Sequence, residues 1–239
     1  MKLDILVLAA HPDDAELSCS GTVLKHLAMG KKVGIADLTR GELGTRGSAE
    51  LRDQEAADSA RILGLTVREN LGLRDGFFVN DEAHQMEVIR VIRKYQPEII
   101  LCNAIDDRHP DHARASELAV TSCFLSGLSK IRTELDGSQQ EAWRPRLVLQ
   151  YIQDNYIRPD IIVDVTEHWD VKMESIYAFK SQFHNPGYDE PEQTYISTPE
   201  FLKVIEARAR ELGKAIGATY GEGFTCKKLL GVNDLFNLL

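Results

Sequence analysis

The run from Leu3 to Ala9, closed by Ala10-His11-Pro12-Asp13-Asp14, restricts this chain to a small set of architectures. Apart from Asp4 it is aliphatic throughout. It lacks the polar alternation of a strand with one wet face, so it reads as a central strand covered on both sides. From Ala15 to Met29 the apolar positions Leu17, Val23, Leu24, Leu27 and Ala28 take helical spacing, and Gly30 closes the segment. Lys32 to Leu38 is apolar again. Strand, helix, strand in one sheet means parallel strands and a right-handed crossover.

The alternation continues. Ser48 is a good cap for a helix from Ala49 to Leu63, which Gly64 ends. Val67 to Leu71 reads as a short strand, Glu82 to Tyr95 as a helix and Glu98 to Cys102 as a buried strand. A further helix starts at Pro110 or Asp111 and runs to Leu125. Arg146 to Ile152 and Ile161 to Val165 are strand-like, and Val171 to Phe179 and Glu200 to Ile216 helical. Leu128 to Pro145 is expected to be a mobile polar loop and His184 to Pro199 an irregular one, while Ala218 to Leu239 carries no assignable pattern. The expected fold is a mostly parallel α/β sheet flanked by helices, one domain over residues 1–239 with C-terminal additions.

At 239 residues, 43% apolar and 27% charged, the chain can bury one sizeable core. No apolar run reaches the ~20 residues of a membrane span. The N-terminal run is short, broken by Asp4 and soon followed by charge, so it reads as a strand rather than a signal peptide. A net charge of −9 argues against nonspecific nucleic-acid binding, which depends on neutralising phosphates. It leaves room for an anionic small substrate held by a local arginine. Cys19, Cys102, Cys123 and Cys226 form no C-x-x-C pair. Four reduced thiols and no secretion signal imply the cytoplasm.

The chemistry lies in Ala10 to Asp14 and in Arg108-His109-Pro110-Asp111-His112, which together hold three of the seven histidines. Both stretches follow strands directly, so both fall on the carboxyl edge of the sheet, where such sheets bind ligands. A catalytic metal site takes three N or O ligands and keeps an open position. His11, either Asp13 or Asp14, and either His112 or His109 can supply them. The donors left over, Asp111 among them, can serve as general base and as acid or oxyanion partner. With a metal as Lewis acid this is a hydrolytic site. A 2-His-1-carboxylate set also suits a non-haem iron oxygenase, and a sugar- or nucleotide-binding module with a structural metal would use the same donors. The second, adjacent carboxylate favours hydrolysis. His26, His84, His168 and His184 lack such companions and read as structural or solvated. The spacing of Gly41, Gly44 and Gly47 is not G-x-G-x-x-G, so no dinucleotide site is expected.

Ala10-His11-Pro12-Asp13-Asp14 with Glu16, then His109-Pro110-Asp111-His112, resembles the LmbE-type, or PIG-L-like, metal-dependent N-deacetylases of N-acetylglucosamine derivatives. The resemblance runs nearly the full length and implies a Rossmann-like fold. It implies His11, Asp14 and His112 as ligands of one divalent metal, zinc first, with Fe, Mn or Co as alternatives. It implies Asp13 as the base, and His109 as oxyanion partner and acid, supported by Asp111. Leu43-Gly44-Thr45-Arg46-Gly47, Glu50-Leu51-Arg52 and Gly221-Glu222-Gly223-Phe224 are most similar to the bacillithiol-pathway branch, whose enzymes remove acetate from N-acetylglucosaminyl malate. Malate is a dicarboxylate, and Arg52 and Arg108 are expected to meet it as guanidinium forks. Some relatives use a late tyrosine at the oxyanion. Here Phe201 aligns with it and Tyr195 lies six residues earlier, so that role stays open. The resemblance also implies a homo-oligomer, with a hexamer as the size it suggests, acting on a small-molecule GlcNAc conjugate.

Overall fold

In the computed structural model, which describes residues 1–187 and 192–238, strand β1 (Ile5–Ala9) lies inside the sheet and is fully buried. Its side chains alternate as strand geometry requires. Leu6 and Leu8 join one apolar cluster and Ile5, Val7 and Ala9 another, which is why the sequence has no polar alternation there. Helix α1 (Asp14–Ala28) leads to β2 (Val33–Thr39), α2 (Ala49–Leu63), β3 (Val67–Leu73), α3 (Glu82–Tyr95), β4 (Ile99–Cys102) and α4 (Pro110–Leu125). Residues of α3 and α4 fill the first cluster, and residues of α1 with Leu63 of α2 fill the second. Ser48 caps α2 by accepting from Leu51 N, and Gly64 ends it in the left-handed region.

The remaining elements are a small hairpin of β5 (Glu134–Leu135) and β6 (Ser138–Gln139), then β7 (Leu147–Tyr151), β8 (Ile161–Asp164), α5 (Trp169–Tyr177), α6 (Pro199–Ala215) and β9 (Gly221–Thr225). Among the described residues the main sheet has seven strands in the order β3-β2-β1-β4-β7-β9-β8. The first five are mutually parallel, and β9 runs antiparallel to both β7 and β8. Strand order turns back at β1, which pairs with β2 on one side and β4 on the other. The crevice at that switch point is where an open α/β sheet binds ligands.

Two expectations need correction. The segment from Leu128 is not a structureless polar loop. The buried Arg93 guanidinium donates to the carbonyls of Ser126, Leu128 and Ile131 and to Thr133 Oγ1, and β5–β6 turns through Asp136 and Gly137, both at positive φ. The tail without assignable pattern contains β9, a buried central strand. Glycine is a weak strand former, which hides it. A Cβ at Gly221 would lie 2.7 Å from Ile162 and 2.8 Å from Gly213 N, so close packing demands glycine there. Residues 188–191 of the expected irregular loop lie outside the described residues.

Candidate active site

The ends of β1 and β4 are adjacent, Leu8 pairing with Cys102, so the two His-Pro stretches leave the sheet side by side. Asn103 joins them: its Oδ1 accepts from Ala10 N at 2.9 Å and its Nδ2 donates to Asp14 Oδ2 at 3.0 Å. The rings of His11, His109 and His112 lie 4.7 to 5.6 Å apart, centre to centre. All the residues expected at the site line or adjoin one cavity of about 340 Å³, a size suited to a small-molecule ligand.

Asp13 and Asp14 diverge. Asp13 has φ 121° and ψ −24°, a conformation costly for a residue with a Cβ, by about 1–3 kcal/mol. It stands at the N-cap position of α1 but makes no side-chain cap there. Its carboxylate turns to Arg52, whose Nη2 donates to Oδ2 at 2.5 Å and to Pro12 O at 3.0 Å. Gly41 makes room for this arginine. It has φ +64°, and a Cβ there would stand 2.1 Å from Arg52 Nη1. Burial pushes the Asp13 carboxyl up to about 7, Arg52 restraining the rise. That places a buried carboxylate near the pH where a general base works best.

Asp14 turns the other way. Its Oδ1 lies 3.1 Å from His112 Nε2 and its Oδ2 3.6 Å from His11 Nδ1. Gln153 Nε2 donates to Oδ1 at 2.6 Å and His11 N to Oδ2 at 2.9 Å, so both oxygens are held in place. Burial pushes this carboxyl up, but the charges of His112 and His11 outweigh it and hold it well below the carboxylate range. Burial likewise lowers the two imidazoles, yet their carboxylate partners win: His112 rises to about 9, and His11 stands well above its ordinary value.

This donor set fits a divalent cation. On His11 and His112, the ring nitrogen away from Asp14 is engaged by a carboxylate. His112 Nδ1 bonds to Asp107, and His11 Nε2 lies 3.0 Å from Asp75 Oδ1 and 3.3 Å from Asp111 Oδ2. Outer carboxylates of this kind orient metal-binding imidazoles and raise their basicity. Ligand-capable atoms of His11, His109 and His112 lie within 4.8 Å of one another, as do those of His11, Asp75 and Asp111. Asp75 and Asp111 also serve the backbone, accepting from Leu43 N and Gly76 N.

His109 differs from its neighbours. It caps α4, and its Nδ1 accepts from Asp111 N at 3.2 Å. A neutral ring with an accepting Nδ1 carries its proton on Nε2. Burial, together with the positive charges of His11 and His112, pushes its pKa below the ordinary value, so it stays neutral near pH 7.

Two expected roles change on this geometry. The Asp111 carboxylate makes no hydrogen bond to His109 and acts on it only through its charge; it bonds to Arg114 and Gly76 N and faces His11, because α4 begins at Pro110 and it is the Asp111 backbone N–H that reaches back to His109. Arg52 is not an open guanidinium waiting for a substrate carboxylate. It is 5% exposed and bound to Asp13. Arg108, by contrast, lies at the cavity mouth with its side chain 47% exposed, Nε on Asp154 Oδ2 at 2.9 Å. Tyr195 also lines the mouth, its ring edge-on to Phe201 and its hydroxyl on Asp154 Oδ1 at 3.1 Å. Sequence reasoning missed Asp75, Asp107, Asn103 and Gln153. Asp75, Asn103 and Gln153 each stand within two residues of the end of a parallel strand, so position on the carboxyl edge was the available signal.

A neutral imidazole, a buried carboxyl near 7 and a His/Asp/His set able to hold a divalent metal gather at a sheet switch point, as a metal-dependent hydrolase would require. The match to known proteins agrees. Residues 6–123 match the family model "PIG-L: GlcNAc-PI de-N-acetylase". The crystal structure of the conserved protein TT1542 from Thermus thermophilus superposes with a TM-score of 0.85 at 34% identity, covering 97% of this chain and 98% of that one. Diacetylchitobiose deacetylase of Thermococcus kodakarensis is 27% identical over 92% of this chain and 81% of its own length. A probable N-acetyl-α-D-glucosaminyl L-malate deacetylase of Bacillus subtilis is 25% identical over 76% and 84%. A 4-oxalmesaconate hydratase of Pseudomonas putida is 26% identical over 75% and 74%. The chain belongs to the PIG-L, or LmbE-like, deacetylase family.

Proposed function

We propose that residues 1–239 act as one deacetylase domain that hydrolyses the N-acetyl group of N-acetylglucosaminyl L-malate, releasing acetate and a free amine. The observation that carries the hydrolytic reading is the split of the adjacent pair: Asp14 faces two imidazoles while Asp13, strained and buried, faces Arg52. His11, Asp14 and His112 would hold one divalent metal, zinc first, with Fe, Mn or Co accepted by the same donors. When bound, such a cation supplies Lewis acidity and lowers the pKa of a coordinated water towards ~7. Asp13 takes a proton from the attacking water and, now protonated, delivers it to the departing amine. Arg52 holds Asp13 in place and keeps it ionised. His109, neutral and carrying its proton on Nε2, donates a hydrogen bond to the oxyanion as the acetyl carbon becomes tetrahedral. Asp75 and Asp111 position His11, and Asp107 positions His112.

The malate aglycone is supported by the Bacillus relative and by Arg108, which offers a guanidinium at the cavity mouth. A sugar aglycone is the alternative within the same chemistry, in line with the Thermococcus relative. The hydratase relative makes water addition the second reading, since the same base would serve it. One panel separates them: primary amine released from GlcNAc-malate, GlcNAc-inositol, diacetylchitobiose and free GlcNAc, with 4-oxalmesaconate consumption followed alongside. Fastest amine release from the malate glycoside supports the reading. Amine release from none, with 4-oxalmesaconate hydrated, overturns it.

We place the enzyme in a reducing cytoplasm, consistent with four unpaired cysteines; no described helix is long and apolar enough to cross a membrane. A homo-oligomer, with a hexamer as its size, is the assembly in keeping with the C-terminal segment, where Leu229, Leu235 and Phe236 are 95%, 75% and 78% exposed.

A further inference from the structure

Immediately after β7, Gln153, Asp154 and Asn155 connect the inner donors to the cavity mouth. On the inner side, Gln153 Nε2 donates to Asp14 Oδ1 at 2.6 Å. The backbone N–H groups of Asp154 and Asn155 donate to Asp107 Oδ1 at 3.0 and 2.8 Å, and the other oxygen of Asp107 bonds to His112. On the outer side, the Asp154 carboxylate takes Arg108 Nε on one oxygen at 2.9 Å and the Tyr195 hydroxyl on the other at 3.1 Å. Arg108 lies over the Tyr195 ring, its guanidinium carbon 4.5 Å from the centroid. One carboxylate thus fixes a guanidinium edge-on and face-on together, with a geometric reference to the metal-ligand set.

A second guanidinium stands beside Asp154, with Asp107 and Glu211 acting on it from further off. Arg208 Nη2 donates to Asp154 O at 2.6 Å and lies 3.9 Å from its Oδ1. Two guanidiniums therefore surround one carboxylate, and Tyr195 is neutral near pH 7. Among the described residues, neither terminal nitrogen of Arg108 donates to a protein acceptor, since the contact to Asp154 uses Nε. Those terminal N–H groups are the ones that bind an external carboxylate.

We propose that Asp154 is a positioning residue for substrate selection: it holds Arg108 and Tyr195 as a preformed clamp for a carboxylate on the aglycone of the glycoside. The proposal rests on the malate reading and adds the group that sets its selectivity. Without Asp154, Arg108 must be ordered when substrate binds, and that cost appears in KM for the charged substrate. The chemistry at the acetyl group does not involve the clamp.

The test compares N-acetylglucosaminyl L-malate with methyl N-acetylglucosaminide, identical in the reacting sugar and differing in aglycone charge. The metal-loaded full chain and its Asp154→Ala, Arg108→Ala and double variants are assayed for amine release, with metal per chain measured by elemental analysis. The wild type is expected to favour the malate glycoside in kcat/KM. Asp154→Ala is expected to reduce that preference about tenfold through KM. The double variant should lose less than the sum of the two single losses, because Asp154 acts in part through Arg108. A preference kept at the wild-type level in Asp154→Ala overturns the clamp alone. Equal losses on both substrates, or lost metal, overturn it in favour of a structural role. A wild type indifferent to aglycone charge removes the malate reading and the clamp with it. Asp154→Asn provides a variant of nearly unchanged volume: it can accept from one partner through its single oxygen, and an intermediate preference supports the proposal.

Discussion

Replacing Arg52 by alanine separates two roles for that side chain. In the structure Arg52 Nη2 is 2.5 Å from Asp13 Oδ2, and each side chain is 6% exposed. Taking ~4 Å between charge centres and an effective dielectric of about 20, their attraction is ~4 kcal/mol, or ~3 pKa units. Carboxylates beside arginine are lowered by ~1–3 units in proteins generally. With the arginine present, burial already pushes Asp13 up to about 7. Removing the cation raises it further by ~1–3 units, and a base must be ionised to accept a proton. The acid limb of the kcat/KM profile therefore moves to higher pH by that amount. Activity at pH 7 falls ~5- to 500-fold and recovers as the pH is raised, while Arg52→Lys shifts the limb less. Because breaking a buried pair costs ~3–5 kcal/mol, thermal unfolding and metal content are measured on the same samples. An acid limb that stays where it was, with the loss confined to KM, refutes the reasoning and returns Arg52 to the substrate.

Asp107→Ala removes the carboxylate behind His112 without removing a donor; metal affinity in a chelator competition should weaken ~10- to 100-fold, and an unchanged affinity would deny Asp107 its orienting role. In the metal-free chain the carboxylates raise His112 from 6.5 to about 9, so near pH 7 it holds a proton that must leave before Nε2 can bind a cation. Metal affinity measured by titration should tighten as pH rises towards about 9 and then flatten; a flat profile from 7 to 9 contradicts this assignment. By the same linkage, the His112 contribution to the stability of the metal-free fold is complete below 6.5 and is lost as pH rises through about 9. Lys172 is buried, with Nζ on Glu222 Oε1 at 2.7 Å and on the carbonyls of Glu16 and Leu17. Lys172→Met should destabilise the fold by ~3–5 kcal/mol in denaturant unfolding, with part restored by adding Glu222→Gln, whereas a neutral single substitution would contradict the account.

Much of the fold follows from local pattern. β1, α2 and α3 could be placed because burial on both faces, a Ser48 cap with a Gly64 stop, and a clear apolar stripe are properties of contiguous residues. β9 could not, because its two glycines are required by Ile162, Gly213 and other distant neighbours, and its Glu222 is buried only because Lys172 meets it. The site divides in the same way. His11, Asp13, Asp14, His109 and His112 stand in two short stretches, and strand ends are predictable meeting places. Asp107 stands just five residues before His112, whereas Asp75 and Gln153 act through hydrogen bonds to residues 64 and 139 positions away in sequence, which no local pattern encodes. Arg52 misled for the same reason. The resemblance to the malate branch offers it a substrate carboxylate, and only the strained turn at Asp13 reveals which carboxylate it meets.

The central claim is that this carboxyl edge hydrolyses an N-acetyl amide with Asp13 as base. The direct test is amine release from N-acetylglucosaminyl L-malate by the metal-loaded wild type and by Asp13→Ala, with metal per chain determined for both. The account predicts rapid amine release by the wild type and near-complete loss in the variant at undiminished metal content. Turnover by Asp13→Ala near the wild-type rate would contradict it.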